Sequence, residues 1–125
     1  MAVYENVKTI SLDLNTGTVG QYKFVKISGA DGECINTTAD TDVAVGIAME
    51  AQATVGGSIP VAVAGVAKIK VTSGTVTRGG QVTSHTDGGG KAAVSGDEVH
   101  GVALSSAANG DIIDVLLAPS SQLLA

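Results

Sequence analysis

Aromatic side chains are almost missing from this chain: Tyr4, Tyr22 and Phe24 are all it has, and tryptophan is absent. A core built around a few large rings is therefore excluded. Burial must come from many small aliphatic groups, each gaining about 25 cal/mol per Å² removed from water. Cysteine is just as scarce. Cys34 stands alone, so no internal disulfide can form and no oxidising compartment is implied. Basic residues number 7 against 12 acidic ones, for a net charge of −5. With so few rings to stack on bases, that balance excludes the basic footprint of a nucleic-acid binder. No apolar run approaches the roughly 18 residues of a membrane helix. The N-terminus lacks the basic-then-apolar pattern of a signal peptide. A soluble chain made in a cytosol is expected, with no membrane partner.

What is present is glycine, alanine and valine. Glycine fills 17 of 125 positions, nearly double the usual share of about 7%. The glycines follow no collagen period and sit between short apolar runs, where turns form. The length fits one domain. Charge is uneven. Residues 1–26 hold Lys8, Lys23 and Lys26 against Glu5 and Asp13, and the remainder is strongly acidic.

The chain also says nearly the same thing twice. VAVGIAMEAQATVGGSIPVAVA (43–64) and VHGVALSSAANGDIIDVLL (99–117) align on Gly46 and Gly101. Ile47, Ala48 and Met49 then match Val102, Ala103 and Leu104. Further on, Gly57 matches Gly110 and Ile59 matches Ile112, with a two-residue difference in the loop between. Upstream, Asp31-Gly32 answers Asp87-Gly88. Two copies of one β-unit are expected to build a single scaffold.

β-branched residues and glycine-rich breaks dominate, and helical periodicity is weak. Strands are expected near Val7–Leu14, Gln21–Ile27, Val43–Met49, Ser58–Ala64, Val66–Val71, Gln81–Ser84, Glu98–Leu104 and Asp111–Leu117, with shorter pieces near Gly32–Asn36 and Lys91–Val94. Ala44–Thr54 could form a helix, but its repeat partner carries Gly101, Ser105, Ser106 and Asn109, which favours strand. Near the N-terminus Val3, Glu5 and Val7 hold one parity, while Ile10, Leu12 and Leu14 hold the other. Strand side chains alternate strictly, so this switch marks a bulge or two packing environments. An arm of about residues 1–8 packing on something other than its own domain is one outcome; a frayed terminus with an ordinary bulge is the other. In the central run Val61, Val63, Gly65, Ala67, Ile69 and Val71 share one face, with Lys68 and Lys70 on the other. Pro119 should end any central strand, leaving Leu123 and Leu124 to dock elsewhere.

Candidate chemistry is thin. His85-x-Asp87 falls in a glycine-rich turn, and His100 opens a strand near Asp97 and Glu98, but no zinc-ligand spacing appears. Cys34 could be a nucleophile, yet a lone cysteine is more often a small buried hydrophobe. The glycine pairs match neither a dinucleotide nor a phosphate-loop fingerprint, and G-x-S-x-G is absent. No enzyme, cofactor, metal or small-molecule substrate is expected. Residues 63–82 echo the rhythm of biotinyl and lipoyl carrier domains, with Lys68 as the candidate lysine. Ala67-Lys68-Ile69, however, lacks their flanking residues and lies mid-strand.

The series YKFVK (22–26), GADG (29–32), VGIA (45–48), GGSIPVAVAG (56–65), VTRGGQVTS (76–84), HGVAL (100–104) and GDIIDVLL (110–117) resembles the small capsid decoration, or cement, proteins of tailed bacteriophages. The resemblance covers roughly residues 20–118. It implies an all-β chain, a small β-sandwich or β-barrel. The repeat divides this into two related units, and the parity switch adds an extended N-terminal arm within the first twenty residues, which depart from the family pattern. The resemblance also implies a structural virion protein, made in the host cytoplasm, that binds the outer surface of the capsid. Its partners would be the major capsid protein and its own copies, commonly as a homotrimer. The organisation expected is an arm and first strand (1–20), a β domain (21–118, pseudo-repeats about 21–71 and 76–118) and a tail (119–125). Contacts with the shell or a neighbouring subunit are expected at Val3, Tyr4, Val7, Ile10, Leu12, Leu123 and Leu124, with Tyr4 the strongest anchor by residue type. The alternative is a small β-sandwich carrier or a surface or fibre binding module.

Overall fold

The computed structural model describes residues 7–123, and side chains as far as residue 117. Among these residues every regular element is a strand. In chain order they are β1 (Lys8–Leu14), β2 (Lys23–Ile27), β3 (Glu33–Asn36), β4 (Gly46–Ala48), β5 (Ser58–Lys70), β6 (Gln81–Ser84), β7 (Gly90–Ala92), β8 (Glu98–Ala103) and β9 (Ile112–Leu123). The possible helix at Ala44–Thr54 is a strand and a loop.

The pairing order is β1-β3-β2-β4-β5, and β5 pairs back to β1, so the first five strands close on themselves. The order continues β5-β9-β8-β6-β7, and Val71, just past β5, bridges to Gly90 on β7. The chain is therefore two small barrels side by side, sharing β5. Closure removes the exposed edges that make isolated sheets prone to pairing with strangers.

β5 runs unbroken for 13 residues, where the sequence suggested two strands parted at Gly65. Gly65 takes φ +90°, which turns the strand from one barrel into the next without ending it. Ser58–Ala64 lies against β1, and Gly65–Lys70 lies against β9.

The two barrels match bond for bond. Leu14 N–H donates to Gly57 O at 2.9 Å, and Val71 N–H to Asp111 O at 2.8 Å. Met49 N–H donates to Pro60 O at 2.8 Å, and Leu104 N–H to Asp114 O at 3.0 Å. The bridge Val19–Gln52 has its counterpart in Val76–Ala107. The repeat thus begins at β1, whose equivalent is the second half of β5. Gly56, not Gly57, is the partner of Gly110, and Ile59 is the partner of Ile113, not of Ile112. That one-residue correction matters because a single slip exchanges the inner and outer faces of a strand: Ile113 is buried and Ile112 exposed. The loop difference is accordingly one residue.

Matched positions fill both interiors. Leu12, Leu14, Val25, Ala48, Ile59 and Val61 line the first barrel; Ile69, Val71, Val82, Ala103, Ile113 and Val115 line the second. Gly46 and Gly101 are glycine for one reason. A Cβ at Gly46 would fall on the Ala62 carbonyl oxygen, and one at Gly101 would lie 2.6 Å from Leu116 O. At Gly79 (φ +82°) the second barrel uses glycine, while the first puts Tyr22 (φ +61°) at the same place. The Tyr22 N–H donates to Ala48 O and the Gly79 N–H to Ala103 O, both at 2.8 Å. A left-handed tyrosine costs roughly 1–2 kcal/mol, held in place by its carbonyl accepting the Lys70 N–H at 3.0 Å.

The expected parity switch is a bulge: the β1–β5 register shifts between Lys8 and Thr9. At the other end, β9 continues through Pro119 to Leu123, contrary to expectation. The β8–β9 register jumps between Gly101↔Leu117 and Val99↔Gln122, and β5 pairing stops at Leu117. Pro119 therefore sits in an irregularity where no ladder bond asks for its missing N–H.

Candidate interaction surfaces

The residues expected to make outside contacts divide three ways. Val3, Tyr4 and Leu124 lie outside the described residues. Leu123 is described by its backbone, which pairs with Glu98. Val7, Ile10 and Leu12 are placed fully. Leu12 faces Ile59 inside the first barrel and is buried, which corrects its expected role: it serves its own core and is not available to a neighbour. Val7 is half-buried and lines a groove of about 180 Å³ with Tyr22, Ile47, Met49, Val66 and Ala67, where the two barrels meet. Ile10 is exposed at the open end of the first barrel.

The junction between barrels carries the most unusual chemistry in the chain. The end of the second barrel seats on the outer face of the first. Phe24 on β2 meets His100 on β8, ring centroids 4.9 Å apart and tilted by 56°, and the Phe24 N–H donates to Gly88 O at 2.7 Å. The β3–β4 connection adds polar ties. Ser84 Oγ donates to Ala39 O at 2.7 Å and Thr83 Oγ1 to Asp40 O at 3.1 Å, while Lys91 Nζ pairs with Asp40 at 3.1 Å. His100 is buried, and neither ring nitrogen has a hydrogen-bond partner among the described residues. Burial pushes its pKa down to about 4, against the opposing pull of the Asp42 carboxylate. Neutral and enclosed, it is a packing residue of the junction at physiological pH.

The remaining candidates resolve into structural roles. Asp87 accepts from Thr72 Oγ1 at 2.7 Å and from the Gly89 N–H at 2.9 Å, closing the β6–β7 turn. Burial opposes ionisation, but these donors and Lys23 hold its carboxyl below the ordinary range. Cys34 is buried, and burial followed by the nearby Asp13 charge pushes its thiol up, away from the reactive thiolate. Among the described residues no group of three or more His, Cys, Asp or Glu side chains is placed to hold a metal ion. Lys68 lies mid-strand, 3.1 Å from Asp114, and not on the hairpin tip that carrier domains use.

What sequence reasoning missed is most of the exposed apolar surface. Ile27 and Val43 lie with Ile10, the one member it named, at the end of the first barrel. Leu104, Ile112 and Leu116 mark the outer face of the second, with Val94 on a neighbouring loop. The signal for it was the repeat itself, compared position by position in the corrected register.

The fold is shared with solved structures. The chain is similar to the head fiber gp8.5 N base of bacteriophage phi29, with a TM-score of 0.72 and 14% sequence identity. The match covers 93% of this chain and 98% of the other. At that identity the likeness establishes shared architecture over both barrels. No family model matches the chain, and no curated protein is significantly similar to it.

Proposed function

We propose that this protein is a structural part of a bacteriophage virion that binds the outer surface of the capsid, contacts the major capsid protein and stabilises the shell, as a homotrimer and without enzymatic activity. The carrying observation is the double barrel: a part of a phage head fiber has the same architecture across nearly the whole of both chains. The residue series that resembles cement proteins points the same way, and so do the buried Cys34 and His100, which occupy the two most reactive side-chain types in packing roles. Exposed apolar side chains on a small acidic protein suit many weak contacts repeated over a shell, where each bound copy raises the effective concentration for the next contact. Nucleic acid, membrane and small-molecule partners have no place in this reading.

A second reading is the base module of a fibre, favoured by the similarity to the head fiber gp8.5 N base of bacteriophage phi29. Purified shells incubated with the protein separate the two. Co-sedimentation with a raised shell-opening temperature supports cementing, and co-sedimentation with an unchanged temperature supports a fibre base. Shells that sediment without the protein would reject both.

A further inference from the structure

Pseudo-symmetry supplies an internal control for every surface position. At the end of the second barrel, Ala67, Ser84 and Glu98 are 8%, 0% and 6% exposed, because they are covered by the first barrel. Their counterparts at the end of the first barrel are Ile10, Ile27 and Val43, at 41%, 53% and 54%. The covered copy carries a serine and a glutamate, and the open copy carries isoleucine and valine. Burial normally orders these residue types the other way.

The complementary surface shows the same inversion. On the first barrel's outer face, Phe24, Ile47 and Ala62 are buried under the second barrel. Their equivalents on the second barrel are Gln81, Val102 and Leu116, of which Leu116 is well exposed. Beside it Ile112 is exposed where the first barrel presents Ser58. On the connecting loop Ala39 accepts the Ser84 hydroxyl. Its counterpart is Val94, since Asp42 Oδ2 accepts the Ala39 N–H as Asp97 Oδ2 accepts the Val94 N–H. The polar pair Ser84–Ala39 within the chain thus corresponds to an apolar pair, Ile27 and Val94, one on each barrel and both exposed.

We infer that copies of this chain associate head to tail, the open end of the first barrel in one copy seating on the outer face of the second barrel in the next, so that the intrachain junction is repeated between chains. Ile27 meets Val94 across that contact, and Val63 and Ile10 approach Leu116 and Val102. The contact is heterologous, so it closes into a ring or grows into a polymer; three such contacts would close the homotrimer proposed above. It continues an interface the chain already makes, and it does not depend on shell binding.

Light scattering after size exclusion tests it on the full-length protein. Wild type is expected above single-chain mass, and Ile27→Glu and Val94→Glu are each expected to fall to single-chain mass while keeping a cooperative melting transition, lowered only by the loss of association. Each variant spoils one surface and keeps the other, so an equimolar mixture of the two is expected to form a dimer that grows no further. Mixing I27C with V94C under mild oxidation should give a cross-linked dimer that neither gives with wild type. A monomeric wild type, single variants that keep the wild-type mass, or a mixture that stays monomeric without the cross-link would each overturn the inference. A monomer that still sediments with shells overturns this contact and leaves shell binding standing.

Discussion

Phe24 and His100 come from strands far apart in sequence, yet their rings meet 4.9 Å apart at the point where one barrel closes over the other. The contact makes a pH dependence unavoidable. Burial holds the His100 pKa near 4, below its ordinary 6.5. Between those values the unfolded chain binds a proton that the folded chain refuses. The full stability of this site is present above pH 6.5 and is lost as the pH falls toward 4. At about 1.4 kcal/mol per pKa unit, the whole loss is on the order of 3 kcal/mol. Denaturant melts at pH 7 and pH 5 should show it, and His100→Gln should lose less stability over the same interval. An equal loss in both proteins would place the dependence on other groups.

Gly46 and Gly101 test the repeat as a packing device. Alanine at either position must displace the carbonyl of the adjoining strand, an overpacking cost of about 1–3 kcal/mol. Gly32, unlike those two, has positive φ (+78°) and open space around its missing Cβ, so Gly32→Ala should cost no more than about 1–2 kcal/mol, from backbone strain alone. Chemical denaturation of the three variants gives the comparison. Similar losses at Gly46 and Gly101 are expected because the two sites are one site used twice.

Leu12 and Ile10 lie two residues apart on the same strand and should respond very differently. Leu12→Ala opens a cavity in the first barrel and is expected to cost about 2–5 kcal/mol. Ile10→Ser replaces an exposed side chain and should stay within about 0.5 kcal/mol in the single chain. Urea midpoints measured on dilute protein check both.

Cys34 should be silent until the chain opens. Its buried thiol, raised by burial and by the Asp13 charge, is expected to react with an aromatic disulfide reagent only as fast as the first barrel unfolds. Reaction of the native protein at the rate of a free thiol would contradict that placement.

Much of this fold is visible in the sequence where alternation and glycine agree. Gln81–Ser84 is found as expected, Val7–Leu14 differs from β1 by one residue, and the β1 bulge follows from the parity of Val7 against Ile10. The errors have physical causes. Gly65 looks like a strand break because glycine usually punctuates; here its positive φ bends one strand between two barrels. Pro119 looks like a stop because a proline cannot join a ladder, and the sequence does not reveal an irregularity that needs no donor there. The repeat was legible at Gly46 and Gly101, where a missing Cβ demands glycine. It was illegible at β1, where Leu12 and Leu14 match Ile69 and Val71 only in being apolar. The surfaces were hidden for a related reason. Whether Val43 or Glu98 ends up buried depends on which barrel end is covered, and that is decided by the junction, not by the local pattern.

Electron cryomicroscopy of purified shells saturated with the protein tests the proposed role most directly. Two-lobed density of the double barrel is expected at symmetry-related positions on the outer surface of the shell. Shells that stay bare at saturating protein, with their outer surface unchanged, would contradict it.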